Sequence, residues 1–447
     1  MIVAKARSQF VCQQCSYSQT GWAGKCPNCG EWGSLVETTI QQTSSPKSTK
    51  TIYQKAGTKK PISLSSVKRS STKRISTKIS ELDRVLGGGV VPGQVILVAG
   101  EPGIGKSTIL LQVADHFAKS KASFLYISGE ESAQQIKVRA DRLGIRNSKV
   151  KVMEETNLNR ILEDPALQGS TFKGVVVDSI QTMQTSGLTG MVGSVGQVRE
   201  CAYQLVRFAK QSGIPVFVVG HVTKAGSVAG PAVLAHLVDT VLWFEGDKLL
   251  SLRLLRAVKN RFGPTDEVGI FSMKDKGLIS LGNPSKLFLS RARKAVSGSA
   301  VASIMQGTRP ILVEIQSLII PTKSSFPKRI AQGIDSRKLE ILLAVLSRRV
   351  GIPLYDYDCF INVVGGISVK NDPAIDLAIC LSIASSFYDK PINRSTVIVG
   401  EVGLLGEIRE VNQQDSRVRE AKRIGFTKTV TSKEFKYLNQ AVKTLLK

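Results

Sequence analysis

The fold of this chain is decided by one stretch, Gly100-Glu101-Pro102-Gly103-Ile104-Gly105-Lys106-Ser107-Thr108. An apolar run at 95–99 precedes it, and an apolar helical pattern at 108–114 follows it. A strand, a GxxxxGKS loop and a helix in this order are typical of a P-loop. Backbone N–H groups of the loop can surround a β-phosphate, Lys106 can reach the β and γ oxygens, and the Ser107 hydroxyl can bind Mg²⁺. The stretch therefore predicts a site for ATP and Mg²⁺.

Further apolar runs at 124–128, 174–177 and 214–219 alternate with helical patterns. Such alternation predicts an α/β fold with a mainly parallel, doubly wound sheet, because parallel strands need helical crossovers. We assign residues 79–274 to this ATPase domain. Ligands of such sheets bind at the carboxyl ends of the strands.

Three polar side chains follow these strands and extend the predicted site. Asp178 ends a β-branched run and is predicted to hold Mg²⁺. Glu130, in preference to Glu131, is predicted to polarise the attacking water, although both glutamates could simply begin a helix. His221 is a candidate sensor of the γ-phosphate, with a structural role as the alternative.

Four cysteines near the start of the chain have the spacing of a zinc site. They are Cys12, Cys15, Cys26 and Cys29. Two CxxC pairs on a short hairpin can place four thiolates tetrahedrally around Zn²⁺, and a module as small as 1–37 needs the metal to fold. We expect Trp22 and Trp32 to pack over this zinc ribbon, with stacking on nucleic-acid bases as the alternative.

Charge predicts a polyanionic partner. The chain of 447 residues has 61 Lys and Arg against 35 Asp and Glu, a net charge of +26. Ten of these cations and no acid lie in a Ser- and Thr-rich linker at 38–78. Apolar runs are too short to span a bilayer, and the first residues do not resemble a secretory signal, so we expect a cytoplasmic protein without a membrane partner.

Two basic segments are candidates for contacts with DNA or with a neighbouring subunit. The first is Lys259-Asn260-Arg261-Phe262-Gly263, in which two cations precede a turn at the end of a strand. Such cations can act in trans on a γ-phosphate or contact DNA, or they can be ordinary surface charges. The second is the Gly- and Ala-rich segment 224–231, in which Lys224 is a candidate DNA-facing residue.

The four cysteines, the GEPGIGKST loop and the KNRFG string together resemble the bacterial RadA (Sms) family of DNA repair proteins. The resemblance implies a RecA-like ATPase core that assembles into a hexameric ring. It further implies a DNA-stimulated ATPase that drives branch migration of recombination intermediates on single-stranded and branched DNA. Recombinase filaments of the RecA type or a replicative helicase are the implied partners.

The remaining residues, 275–447, are similar to the Lon-type protease domain, notably at 362–366 and 400–406. A protease of that type needs a serine nucleophile and a lysine that accepts its proton. Ala374 stands where the serine aligns, and the lysine position falls near Asp415. The domain is therefore predicted to be a scaffold whose basic residues are available for DNA.

Three functions remain open at this point. The favoured one is an ATP-driven motor on DNA in homologous recombination and repair. An ATP-dependent Lon-type protease is disfavoured by Ala374. A nucleotide-sensing ring that only scaffolds other repair proteins is the third.

Overall fold

A computed structural model of the chain describes residues 7–12, 17–40, 63, 73–119, 123–169, 171–188, 190–221, 231–247, 252–289, 295–322, 326–366, 369 and 372–446. Cys15 and Lys224 lie outside the described residues. The chain divides into two compact units. The first comprises 1–246, 253–265 and 271–280, and the second comprises 247–252, 266–270 and 281–447.

The first unit begins with a small antiparallel sheet. Its strands are β1 (Arg7–Cys12), β2 (Ser18–Gln19) and β3 (Leu35–Ile40), with β1 in the centre. Cys12, Cys26 and Leu35 form a small buried cluster beneath the sheet. Three side chains provide too little apolar burial to fold a module of this size, which agrees with a metal-stabilised ribbon.

A nine-stranded sheet dominates the first unit. Its elements are α1 (Ser80–Val85), β4 (Val95–Gly100), α2 (Lys106–Lys119), β5 (Ser123–Ser128), α3 (Ala133–Arg142), β6 (Val150–Glu154), α4 (Leu158–Glu163), α5 (Pro165–Gln168), β7 (Phe172–Asp178), α6 (Val195–Ser212), β8 (Val216–His221), α7 (Pro231–Ala235), β9 (Thr240–Asp247), β10 (Leu252–Asn260), β11 (Val268–Lys274) and β12 (Gly277–Ser280). The strand order is β12-β11-β10-β9-β4-β8-β7-β5-β6, and the six strands from β9 to β6 are parallel. The prediction of a mainly parallel sheet is confirmed.

Alternation along β4 shows how the two faces of this sheet are covered. Ile96 and Val98 belong to the apolar cluster that contains the α2 residues. Val95 and Leu97 belong to a second cluster, which contains the α6 residues. Every residue of β4 is buried, because helices cover both faces. The sheet is therefore doubly wound.

Residues on both sides of the predicted segment 79–274 contact the ATPase domain. Ile75 forms a β-bridge with Val90, and the Thr77 N–H and hydroxyl both donate to Asp83. At the other end β12 pairs with β11, and the first unit continues to Ser280. These contacts between distant positions are not visible in local composition.

The second unit is a mixed α/β domain. Its elements are α8 (Ser285–Phe288), β13 (Ser299–Gln306), β14 (Arg309–Pro321), β15 (Arg329–Gln332), α9 (Ser336–Val345), β16 (Tyr357–Val363), α10 (Asp376–Phe387), β17 (Thr396–Ile398), β18 (Glu401–Val402), β19 (Ile408–Arg409), α11 (Gln414–Ile424), β20 (Lys428–Val430) and α12 (Leu438–Leu446). Six strands form a sheet in the order β15-β16-β14-β13-β17-β20, and β18 pairs with β19. Helix α10 is buried almost throughout, and its Ser382 hydroxyl lies 2.6 Å from that of Ser317 on β14.

Cys201, Cys359 and Cys380 are buried in the interior. Each helix that the structure describes is too short or too polar to traverse a lipid bilayer.

Candidate nucleotide-binding site and zinc ribbon

The phosphate loop connects β4 directly to α2. Gly103 has φ 73° and Gly105 has φ 116°, a backbone conformation that residues with a Cβ rarely adopt. At Gly105 a Cβ would also lie 2.8 Å from the Met273 Cε. The loop can therefore bring its backbone close to a phosphate only with glycine at these positions. The first turn of α2 supplies N–H groups that no earlier helical carbonyl accepts, so they can bind the anion.

Lys106 is buried at the start of α2. Its Nζ donates to the Gly100 carbonyl at 2.9 Å and to the Glu101 carbonyl at 3.0 Å. Burial lowers the pKa of Lys106, and the carboxylates of Asp178 and Glu130 oppose that shift. The ammonium group is thus held in the loop by carbonyl oxygens that phosphate oxygens can replace.

Asp178 and Ser107, the two predicted magnesium ligands, are joined by a residue that the sequence analysis missed. The Tyr126 hydroxyl donates to the Asp178 Oδ2 at 2.5 Å, and the nearby Ser107 side chain slightly opposes the rise in the pKa of Tyr126. Burial and the Asp178 carboxylate raise the pKa of Tyr126 well above its ordinary value, so the phenol stays protonated as a donor. A hydroxyl and a carboxylate brought together in this way are oxygen donors of the kind that Mg²⁺ prefers. The residues present therefore fit the ion.

Glu130 lies beside Asp178 at the same edge of the sheet. It accepts a hydrogen bond from the Ser179 hydroxyl, and its Oε1 is 3.5 Å from the His221 Nε2. Burial, followed by the Lys106 ammonium, lowers the pKa of His221, whereas the Glu130 and Asp178 carboxylates act in the opposite direction. At neutral pH His221 is therefore a neutral imidazole next to a carboxylate.

The neighbouring Glu131 is engaged differently. Its carboxylate forms an ion pair with Arg139 of α3 at 2.5 Å, and its backbone N–H and carbonyl both bond the Ser128 hydroxyl. Glu131 therefore anchors the start of α3. This difference between adjacent glutamates favours Glu130 as the one that faces the phosphate loop.

One cleft of about 900 Å³ is lined by the phosphate loop, Lys106, Ser107, Glu130 and His221. Its far wall is formed by Arg142 and Leu143 from the end of α3 and by Met273 and Gly277 from the β11–β12 hairpin. A Cβ at Gly277 would lie 2.7 Å from the Leu143 Cδ2, so the hairpin and α3 approach closely over α2. The volume is within the range of small-molecule sites, and the apolar Leu143 and Met273 can flank a base.

Three of the four predicted zinc ligands come together in the ribbon. The Sγ atoms of Cys12, Cys26 and Cys29 all lie within 4.8 Å of one another, and those of Cys12 and Cys29 are 3.6 Å apart. Four thiolates at about 2.3 Å from Zn²⁺ would be separated by about 3.8 Å, so this spacing fits the metal. The fourth predicted ligand, Cys15, lies outside the described residues.

The tryptophans of the ribbon do not pack over it. Trp22 is 67% exposed and Trp32 is 73% exposed. The expectation of packing is therefore wrong. A three-residue core has no room for two indoles, and the sequence carries no signal that would show this.

Comparisons with known proteins agree with this geometry. The model of the AAA domain matches residues 60–227, and the model of the rubredoxin metal binding domain matches residues 10–37. The DNA repair protein RadA of Bacillus subtilis is 49% identical over 428 residues, which cover 96% of this chain and 93% of the relative. The proteins of the same name from Listeria monocytogenes and Pseudomonas aeruginosa are each 47% identical, with 95% and 96% of this chain and 92% and 93% of the relatives covered.

The chain belongs to the RadA family of DNA repair proteins. The AAA match covers the phosphate loop, Glu130, Asp178 and His221, so this RadA-family chain is an ATPase. The second match covers all four cysteines of the metal-binding ribbon.

The KNRFG string of this RadA-family chain lies at the amino-terminal ends of the parallel strands, opposite to the phosphate loop. Arg261 N donates to the Asp239 carbonyl, and Asp239 in turn accepts from the N–H of Val95, the first residue of β4. The phosphate loop begins at the opposite end of this six-residue strand. About 17 Å of strand therefore separates the string from the phosphate loop of its own chain.

The members of the string have different surroundings. The Asn260 side chain bonds Thr240, Val85 and the Phe262 N–H, so it holds the turn together. The Lys259 Nζ donates to the Ala235 carbonyl at 2.6 Å. The Arg261 side chain is 53% exposed, and its Nη1 lies 3.4 Å from the Asp239 Oδ1.

Gly263 packs closely, because a Cβ there would lie 3.2 Å from the Gly87 Cα. Asn260 and Gly263 are thus explained by the fold. Arg261 is 53% exposed, so it can exchange its ion pair with Asp239 for a contact with another molecule.

The protease-like positions of the second unit lack a nucleophile. Ala374 is fully buried in a turn that precedes α10, and its carbonyl accepts from the Gly400 N–H at 3.0 Å. Asp415, near which the lysine position was predicted, forms an exposed ion pair with Lys433. Instead of a serine–lysine pair, a buried Arg417 binds the Asp372 carboxylate through two nitrogens, at 2.8 and 3.0 Å.

Proposed function

We propose that this protein is a DNA-stimulated ATP hydrolase that acts in homologous recombination and DNA repair and drives branch migration of recombination intermediates. The observation that carries the proposal is the cleft that Lys106 and Glu130 line beside the phosphate loop, with the Asp178 carboxylate near enough to raise the pKa of Lys106 against the effect of burial. Single-stranded and branched DNA are its proposed substrates. The net charge of +26 and the names of the relatives support them.

In the proposed mechanism the phosphate loop binds the β- and γ-phosphates. The Lys106 ammonium exchanges the Gly100 and Glu101 carbonyls for phosphate oxygens. Ser107 and Asp178 would hold Mg²⁺, which neutralises charge on the phosphates when it is bound. Tyr126 keeps the Asp178 carboxylate oriented through its hydrogen bond.

Glu130 is proposed to orient the attacking water and to accept its proton. Its carboxylate lies two residues beyond the end of β5 and shares the edge of the sheet with Asp178. The Ser179 hydroxyl donates to it and fixes its position, and the His221 Nε2 lies 3.5 Å away. Because Glu131 is engaged by Arg139, Glu130 is the glutamate that remains directed at the loop.

His221 is proposed to couple the presence of a γ-phosphate in the cleft to DNA binding. It is the last residue of β8 and leads into the segment that contains Lys224, the candidate DNA-facing residue. A neutral imidazole 3.5 Å from Glu130 can change partner when a γ-phosphate enters the cleft. Hydrolysis would then alter the segment beyond β8.

Lys259 and Arg261 are proposed to act on the nucleotide or the DNA of a neighbouring subunit. The length of β4 excludes contact with the phosphate loop of the same chain, so a role at a γ-phosphate requires another copy. A head-to-tail ring, which we propose to be hexameric, meets this requirement, because every subunit then supplies one cleft and one KNRFG string.

Mixing two inactive variants tests the ring. Lys106→Ala loses the phosphate-loop lysine, and Arg261→Ala loses the proposed finger. In a 1:1 mixture one interface in four combines an intact loop with an intact finger, so about a quarter of the original ATPase rate should return. A mixture as inactive as its components would exclude the trans role, and size-exclusion chromatography with nucleotide would establish the ring size.

The main test of the function is the ATPase rate with and without single-stranded DNA. We expect stimulation by DNA, loss of turnover in Lys106→Ala and movement of a branched junction by the unmodified protein. DNA affinity should fall steeply with salt, because phosphates are neutralised. Turnover that ignores DNA would refute the proposal, and stimulated turnover without junction movement would favour a scaffolding ring.

RecA-type recombinase filaments or a replicative helicase are the proposed protein partners, because they too act on bacterial chromosomal DNA. The cytoplasm is the proposed location, because that DNA lies there. A Lon-type protease is disfavoured, because Ala374 has no hydroxyl and Asp415 pairs with Lys433. ATP-dependent degradation of casein would reverse that view.

A further inference from the structure

The zinc ribbon exposes two tryptophans side by side. Trp22 and Trp32 are more than two-thirds exposed, and both border Gly24. A Cβ placed on Gly24 would lie 3.7 Å from the Trp22 Cη2 and 3.6 Å from the Trp32 Cζ3. Both indoles therefore border the same glycine, whose lack of a side chain leaves its Cα open towards both rings.

The backbone holds the second indole in place. Lys25 forms an antiparallel bridge with Trp32, and the Gly33 N–H donates to the Gly24 carbonyl at 2.7 Å. The Cys26 N–H donates to the Glu31 carbonyl at 2.9 Å in the same hairpin. Because Cys26 is one of the clustered cysteines, metal binding would fix the position of Trp32.

A cation accompanies the aromatic pair. The Lys25 Nζ lies 5.6 Å from the centre of the Trp32 ring. Ten Lys or Arg and no acid follow the ribbon in the segment 38–78. Exposed aromatic rings next to concentrated positive charge are what single-stranded nucleic acid requires, since bases stack on the rings while cations neutralise the phosphates.

We propose that Trp22, Trp32 and Lys25 form an aromatic clamp for the bases of single-stranded nucleic acid. The proposal rests on the proposed function, because it assigns part of the DNA binding to the ribbon. Stacking tolerates any base, so the clamp adds affinity without sequence preference. Lys25 supplies a contact to phosphate next to the stacked base.

The composition of the chain provides a direct test. It has three tryptophans, and the third, Trp243, lies on β9 of the nine-stranded sheet. In a Trp243→Phe background all tryptophan emission comes from Trp22 and Trp32. Titration of the full-length, zinc-loaded protein with oligo(dT) should quench this emission, and the anisotropy of labelled oligo(dT) should saturate at the same concentration.

Substitutions then separate the clamp from the rest of the DNA-binding surface. Trp22→Ala and Trp32→Ala should each weaken oligo(dT) affinity by about 5- to 150-fold, which is the loss of one stacked base. Trp32→Phe should keep most of the affinity, because it keeps an aromatic face. Tyr203→Ala is a matched control, because Tyr203 of α6 is 49% exposed and has Arg207 5.9 Å from its ring.

The outcomes distinguish this proposal from the function on which it rests. Binding by anisotropy without quenching, or alanine variants with the affinity of the Tyr203→Ala control, would overturn the clamp and leave the DNA-dependent ATPase intact. A ribbon that binds only protein partners would give that result. Absence of any anisotropy change would overturn both. Zinc content and ATPase rate of each variant establish that it is folded.

Discussion

Replacing Tyr126 by Phe removes one hydroxyl from the proposed magnesium site. The Tyr126 side chain is 1% exposed, and phenylalanine keeps its ring, so the packing around β5 is preserved. What is lost is the donor to the Asp178 Oδ2. The carboxylate can then rotate away from the orientation that this hydrogen bond holds.

The size of the effect follows from the contact that is removed. A hydrogen bond to a charged acceptor contributes about 1.5–3 kcal/mol. At about 1.4 kcal/mol for each tenfold change, this corresponds to about 10- to 150-fold. Groups that orient metal ligands show about 10- to 100-fold effects on metal affinity. We therefore expect the free Mg²⁺ concentration at half-maximal rate to rise by about 10- to 100-fold.

ATP hydrolysis measured against free Mg²⁺ at saturating ATP tests this expectation. Excess Mg²⁺ should restore most of the maximal rate, because Tyr126 orients a ligand and does not touch the nucleotide. Tyr203→Phe, at the exposed face of α6, should leave the curve unchanged. If folded Tyr126→Phe protein showed the original Mg²⁺ dependence, Tyr126 would have no role in positioning Asp178.

Three further outcomes are expected. Glu130→Gln should lower ATP turnover by about 100-fold or more while nucleotide affinity is kept, because the amide cannot accept the proton of water; phosphate release at the normal rate would exclude this role. Arg417→Ala should lower the free energy of unfolding in urea by about 3 kcal/mol, because it removes the buried partner of the Asp372 carboxylate, which is 15% exposed, whereas the exposed Arg409→Ala should cost about 1 kcal/mol or less. Burial raises the pKa of Asp376 to about 6, above its unfolded value of 3.8, so its contribution to stability is greatest at low pH and is lost as pH rises through 6. As the pH rises from 4 to 6.5, the melting temperature of Asp376→Asn should therefore fall less than that of the unmodified protein. Equal slopes of melting temperature against pH for the two proteins would contradict this.

The phosphate loop, its strand and its helix were predictable because each signal is local. Gly103, Gly105, Lys106 and Ser107 act within one βα turn, so their spacing in sequence fixes their spacing in space. The two CxxC pairs, Cys12 with Cys15 and Cys26 with Cys29, predict the zinc ribbon in the same way. Ile96 and Val98 face one apolar cluster and their neighbours face the other, so β4 shows no alternation of apolar and polar residues. Its continuous apolar run is nevertheless enough to predict a buried strand.

Contacts between separate strands were not predictable. Tyr126 is one residue of an apolar run, and only its place beside β7 makes it a partner of Asp178. The pairing of Arg417 with Asp372 likewise joins a helix to a distant turn. Both depend on strand order and register, which no short segment specifies.

The sequence by itself determined that this chain has a P-loop ATPase domain, a four-cysteine ribbon and a basic surface, because composition and short spacings carry those properties. Only the tertiary structure decided that Glu130 accepts a hydrogen bond from Ser179 while Glu131 binds Arg139, and that KNRFG lies a full strand away from the phosphate loop. It also decided that Trp22 and Trp32 remain exposed. The physical reason is that direction, separation and burial are set by packing between distant segments, and packing exists only once the chain has folded.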